Sequence, residues 1–121
     1  MIKKTVTYTD YNDVERTEDF YFNLSKAEVA EMELSVDGGL SKMLEDIVAS
    51  KDNKQIVAIF KDIVLKSYGE KSADGRRFMK SPEIAEAFSQ TEAYVEIFME
   101  LAINEGAAIE FVNGILPKEM K

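Results

Sequence analysis

The sequence contains no cysteine, no histidine and no tryptophan, and only two prolines in 121 residues. Without cysteine there is no disulfide framework and no thiolate metal site. That composition suits a reducing compartment. With histidine missing as well, the usual side chains that titrate near neutral pH are absent. Ser-His-Asp and Cys-His arrangements, and zinc sites built on those ligands, are therefore excluded. Long apolar runs are lacking too: none approaches the roughly 20 residues that a membrane-spanning helix needs. The N-terminal Met1-Ile2-Lys3-Lys4-Thr5 is basic for two residues, but no apolar stretch or small-residue cleavage site follows, so no signal peptide is expected. These absences predict a cytoplasmic protein that does not enter membranes. Positive charge is also scarce, with 15 basic against 23 acidic residues and a net charge of −8. Phosphate backbones repel such a surface, so general nucleic-acid binding is not expected. Gly38-Gly39 lacks the further glycine and the Lys-Ser/Thr pair of a phosphate-binding loop.

What is present is an ordinary globular mixture, 45% apolar and 31% charged, at the usual length of one domain. Residues Ile2–Tyr8 and Val14–Phe22 are rich in β-branched and aromatic side chains, and Thr9-Asp10-Tyr11-Asn12-Asp13 between them is rich in turn formers. This predicts a β-hairpin over 1–23. Asp10, Asn12 and Asp13 lack the glycine and distal glutamate of a calcium loop. Helical periodicity begins at Leu24-Ser25-Lys26-Ala27-Glu28, where Ser25 and Glu28 form a capping box and Leu24 with Val29 a hydrophobic staple. That helix is expected to reach about Leu34 and to stop before Asp37-Gly38-Gly39. A second carries Leu40, Met43, Leu44, Ile47 and Val48. A third, opened by Asp52 and Gln55, buries Ile56, Ile59, Phe60, Ile63 and Val64 and ends at Tyr68-Gly69, with the glycine as a left-handed cap. Ser81-Pro82-Glu83 restarts a helix that runs to about Phe88. Ser89-Gln90-Thr91-Glu92 reads as another capping box, leading a helix whose Tyr94, Ile97, Phe98 and Leu101 face inward. Gly106 interrupts, and a last helix carrying Ala108, Ile109, Phe111, Val112 and Ile115 ends near Gly114. The expected fold is α+β and mainly helical: an N-terminal β-hairpin followed by five or six short-to-medium helices. A single domain over 1–121 is expected, with a helical region at 24–116 and a frayed tail at 117–121.

Carboxylate chemistry remains possible in principle. Glu31, Glu33, Glu45, Asp46, Glu96 and Glu100 fall on helix faces, where acids in so acidic a chain are ordinarily solvated surface. They define no catalytic site, no metal site and no cofactor site. The most distinctive stretch is Tyr68-Gly69-Glu70-Lys71-Ser72-Ala73-Asp74-Gly75-Arg76-Arg77-Phe78, which sets two arginines and an aromatic after a tight turn. One reading is a structural connection, in which an arginine pairs with nearby acids and Phe78 plugs the core. The other is a protein-binding loop through Tyr68, Arg76, Arg77, Phe78 and Met79, because arginine and aromatic residues concentrate at interface hot spots. There are six methionines. Met32, Met43, Met79 and Met99 read first as core fillers, and any that prove exposed are the preferred contacts to a partner protein.

Four stretches carry a family resemblance. Tyr68-Gly69-x-x-Ser72-x-Asp74-Gly75-Arg76-x-Phe78-x-Lys80-Ser81 is followed by Phe88-x-Gln90-Thr91-x-Ala93-Tyr94-x-x-x-Phe98. With Lys4-Thr5-Val6-Thr7-Tyr8-Thr9-Asp10-Tyr11 and Glu18-Asp19-Phe20-Tyr21-Phe22-Asn23-Leu24, this pattern resembles the tail assembly chaperones of long-tailed bacteriophages along about the whole chain. The resemblance implies a non-catalytic helper in the bacterial cytoplasm, absent from the mature virion. It implies binding to the tape-measure protein, release as tail-tube protein polymerises around it, and self-association into a homo-oligomer. It transfers no catalytic residues. Two other readings stand beside it: a structural virion component of the tail or head-tail junction, and an acidic inhibitor that mimics nucleic acid.

Overall fold

The computed structural model describes residues 1–35 and 53–116. Strict alternation in the first strand sets the architecture. β1 (Ile2–Thr9) turns its even residues inward and its odd residues to solvent, and β2 (Glu15–Phe22) pairs with it antiparallel from Ile2–Phe22 to Thr9–Glu15. Cross-strand partners share a face, so Ile2, Val6, Tyr8, Phe20 and Phe22 look toward the helices. The opposite face is polar, with a Thr5–Asp19 hydrogen bond of 2.6 Å and a Thr7–Thr17 bond of 3.0 Å. At the turn, the Asp10 carboxylate accepts from the amides of Asn12 (2.8 Å) and Val14 (3.0 Å), while Asp13 takes φ 60°. Aspartate tolerates that left-handed conformation better than most residues.

The expected capping box opens α1 (Lys26–Ser35): the Ser25 amide donates to Glu28 Oε1 (2.9 Å) and the Glu28 amide to Ser25 Oγ (3.2 Å). The helix expected through Leu40–Val48, the Asp37-Gly38-Gly39 stop, the Asp52 cap and the 117–121 tail lie outside the described residues. α2 (Asn53–Ser67) buries Phe60, Ile63 and Val64, and its fully buried Ser67 donates Oγ to the carbonyls of Ile63 (2.8 Å) and Val64 (3.2 Å).

Tyr68-Gly69 does not form the expected glycine cap. Helix α2 runs straight into β3 (Tyr68–Lys71), which pairs with β2 at Phe22–Tyr68 and Tyr21–Gly69, and β4 (Phe78–Met79) pairs with β3. The sheet therefore has the order β1-β2-β3-β4, and the 24–116 region is not purely helical. The reason is long-range pairing: Tyr68 faces inward beside Phe22 and stacks on Phe88 at 3.9 Å. Gly69 is required for closeness, since a Cβ there would sit 2.7 Å from the Phe78 ring. Among the described residues, the glycine that adopts a positive φ is Gly75, at 74°, in the turn between β3 and β4.

α3 (Pro82–Ser89) is capped by Ser81, whose Oγ accepts from the Ile84 amide at 3.1 Å. α4 (Glu92–Ile103) is capped by Thr91, not by the expected Ser89: Thr91 Oγ1 accepts from the Tyr94 amide at 3.1 Å. Ser89 instead ends α3 and donates to the Glu86 carbonyl. α5 (Glu105–Ile115) starts at the Asn104 cap and carries Gly106 inside its first turn, so the glycine does not interrupt it. Phe22 sits at the centre of the core, its ring centroid 5.2 Å from Phe111, 5.6 Å from Tyr68 and 5.8 Å from Phe88. The Asn23 and Leu24 amides bond to the carbonyls of Ser67 (2.8 Å) and Ile115 (2.9 Å), tying the strand's end to two helix ends.

Candidate functional site

The 68–80 hairpin is built by its polar side chains. Asp74 Oδ1 accepts from Ser72 Oγ (2.7 Å) and from the Arg76 amide (3.0 Å), and the Arg77 amide donates to Ser72 Oγ at 3.0 Å. The Ser72–Arg77 and Gly75–Ser72 backbone bonds, both 2.9 Å, close the turn. These bonds hold the Asp74 carboxyl below the usual carboxylate range, with the Ser72 hydroxyl contributing most. The turn presents Arg76 and Arg77 to solvent, with no ion pair to either among the described residues.

The five residues singled out from the sequence do not form one patch. Arg76 and Arg77 lie together at the hairpin tip. Phe78 is half-buried on the outer sheet face, lying over Gly69 with Lys80 Nζ 5.7 Å from its ring centroid. Tyr68 projects from the inner face against Phe88, and half-buried Met79 pairs with Glu70 across the ladder. Burial first, then the charges of Glu70 and Glu18, raises the pKa of Tyr68 and keeps its hydroxyl protonated. The hairpin is anchored by Lys80, whose ammonium donates to Glu28 Oε2 (2.7 Å) and to the Asn23 carbonyl (2.6 Å).

A second surface was hidden in the sequence. Helix α4 buries Ala93, Ile97 and Leu101 on one side, yet Val95, Met99 and Ile103 are 40%, 46% and 76% exposed. Their spacing of four places them in one row along the helix. Met99 is thus an exposed methionine on an apolar row, while Met79 is half-buried, and the side chain of Met32 and the whole of Met43 lie outside what is described. The i, i+4 spacing was legible, but Ile97, Phe98 and Leu101 give a stronger apolar stripe and conceal it. Glu100, next to this row, pairs with Lys4 at 3.3 Å, so that acid ties α4 to β1.

A third feature is an open cleft of about 320 Å³ between β2 and β3, lined by Glu18, Asp19, Tyr21, Tyr68, Glu70 and Lys71 among others. Among the described residues no cluster of three or more acids has metal-binding geometry, and no helix is long and apolar enough to cross a membrane. These surfaces offer aromatic, methionine and arginine side chains, residue types that concentrate at protein interfaces. A family model described as phage tail assembly chaperone matches residues 1–121, the whole chain. No curated protein and no solved structure matches it.

Proposed function

The chain belongs to the phage tail assembly chaperone family, and we propose that it acts without catalysis, holding the tape-measure protein until tail-tube protein assembles around it. The observation that carries this reading is the family match over the whole chain. The apolar row of Val95, Met99 and Ile103 supplies a means. A long, partly apolar client must be covered without a rigid pocket, and methionine adapts its shape to varied partners. The net charge of −8 keeps such a complex soluble. Self-association along the client and residence in the host cytoplasm, outside the finished particle, belong to the same reading.

The test is co-expression with a tape-measure fragment. The chaperone is expected to carry the fragment into the soluble fraction and to co-purify with it, and Met99→Glu with Ile103→Glu is expected to abolish both effects. A fragment that stays insoluble with the unaltered chain would refute the proposal. Mass spectrometry of purified particles gives a second check, since recovery of this chain in the virion would favour a structural component instead.

A further inference from the structure

We propose that the free edge of β2, where it parts from β3, takes up an extended, lysine- or arginine-bearing segment of a partner protein as an added strand. β2 pairs with β1 along all eight of its residues, but with β3 only at Tyr21–Gly69 and Phe22–Tyr68. The Asn23 amide bonds to the Ser67 carbonyl, which fixes the direction of the odd-numbered backbone groups. In an antiparallel ladder these groups alternate from side to side. The N–H and C=O of Glu15, Thr17 and Asp19 therefore point away from β1, toward the side where β3 has turned off. No strand among the described residues pairs with them. The side chains of Glu15 to Asp19 are exposed. An open edge of this kind is a template for strand addition.

The cleft at the end of this edge specifies the chemistry of the occupant. Glu18, Asp19 and Glu70 contribute three carboxylates, and Lys71 the one ammonium. Lys71 is turned to the outer face, with Nζ 5.0 Å from the Tyr21 ring centroid. By the strand register Glu18 on β2 and Glu70 on β3 share the inner face with Tyr68, and all three line the cleft. A cationic side chain entering on the inner face meets the Glu18 and Glu70 carboxylates beside the Tyr68 ring, a setting that favours Lys or Arg over Asp or Glu. The volume suits one or two side chains, at the small end of the roughly 300–1,000 Å³ typical of ligand sites. A purely apolar strand is disfavoured, because the inward-facing positions of this part of β2 are Arg16 and Glu18.

This edge is separate from the α4 row and does not depend on the tape-measure reading; loss of client solubilisation with intact peptide binding would count against that reading alone. The test is fluorescence anisotropy on the full chain with a labelled octapeptide of alternating Lys and Val. Its Glu/Val counterpart and a backbone N-methylated Lys/Val version serve as controls. The Lys/Val peptide is expected to bind, and both controls to bind at least about tenfold more weakly, the equivalent of about 1.4 kcal/mol. Glu18→Gln with Glu70→Gln is expected to weaken the Lys/Val peptide by a similar factor while the circular dichroism spectrum is unchanged. Equal binding of the basic and acidic peptides, or of the N-methylated one, overturns the proposal. So does a double variant that abolishes self-association in sedimentation while the unaltered chain binds no peptide, a result that would assign the edge to a second copy.

Discussion

At the scale of single residues, Lys80 and Glu28 show how a charge in a loop becomes part of the fold. Burial opposes ionisation of Glu28, but the Lys80 ammonium and the Ser25 amide outweigh it and lower its pKa. A depressed carboxylate contributes stability that is present above its unfolded pKa, near 4.3, and is lost as pH falls through the folded value. Glu28→Gln is therefore expected to lower the Tm at pH 7, and the gap from the unaltered chain should close as pH falls below about 4. Thermal melts at several pH values check this, and a gap that widens in acid would contradict it. Gly114 argues from space instead: a Cβ there would overlap the Ile2 side chain, which β1 holds against the core. Gly114→Ala gains helix propensity of up to about 1 kcal/mol, yet it must displace a β-branched side chain at roughly 1–3 kcal/mol. A net loss of about 1 kcal/mol is expected in urea titration.

Elements depend on caps, and the caps divide what could be read locally from what could not. The Ser25–Glu28 box and the Ser81-Pro82 start were legible because each is complete within four residues. The Thr91 cap was obscured because Ser89-Gln90-Thr91-Glu92 offers two cap residues, and only the end of α3 at Ser89 decides between them. Thr91→Ala is expected to cost about 1 kcal/mol through loss of the bond to the Tyr94 amide, whereas Ser89→Ala should cost less. A comparison of their urea midpoints checks the assignment. β3 and β4 were illegible for a different reason. A four-residue strand and a two-residue strand carry too little alternation, and Tyr68-Gly69 after a helix looks locally like an ordinary stop. What makes them strands is Phe22 on one side and the 72–77 turn on the other. The candidate surfaces followed suit: Arg76 and Arg77 were visible in sequence, but the separation of Tyr68 from Phe78 onto opposite sheet faces required the ladder.

Across the whole molecule, stability is concentrated at one end of the hairpin. Phe22 touches the rings of Tyr68, Phe88 and Phe111, and the strand's end is bonded to the ends of α2 and α5. The other end, from Thr7 through Thr17, has no buried residue. Local opening there exposes little apolar surface, while opening at Phe22 dismantles the core. Hydrogen exchange is thus expected to be graded along a single ladder: the amides of Tyr8 and Arg16 exchange by local fluctuation, and those of Ile2 and Phe22 only by global unfolding. Phe22→Ala is expected to cost about 3–5 kcal/mol, a large share of the 5–15 kcal/mol that holds a typical domain together. Equal protection at both ends would mean that the hairpin unfolds as one unit. The gradient has a functional side, because the lightly held stretch also exposes the unpaired amides of Glu15 and Thr17. An edge that receives an added strand must adjust its twist and register to each partner. An arm anchored at Phe22 and loose toward its turn does so without disturbing the core that displays Met99.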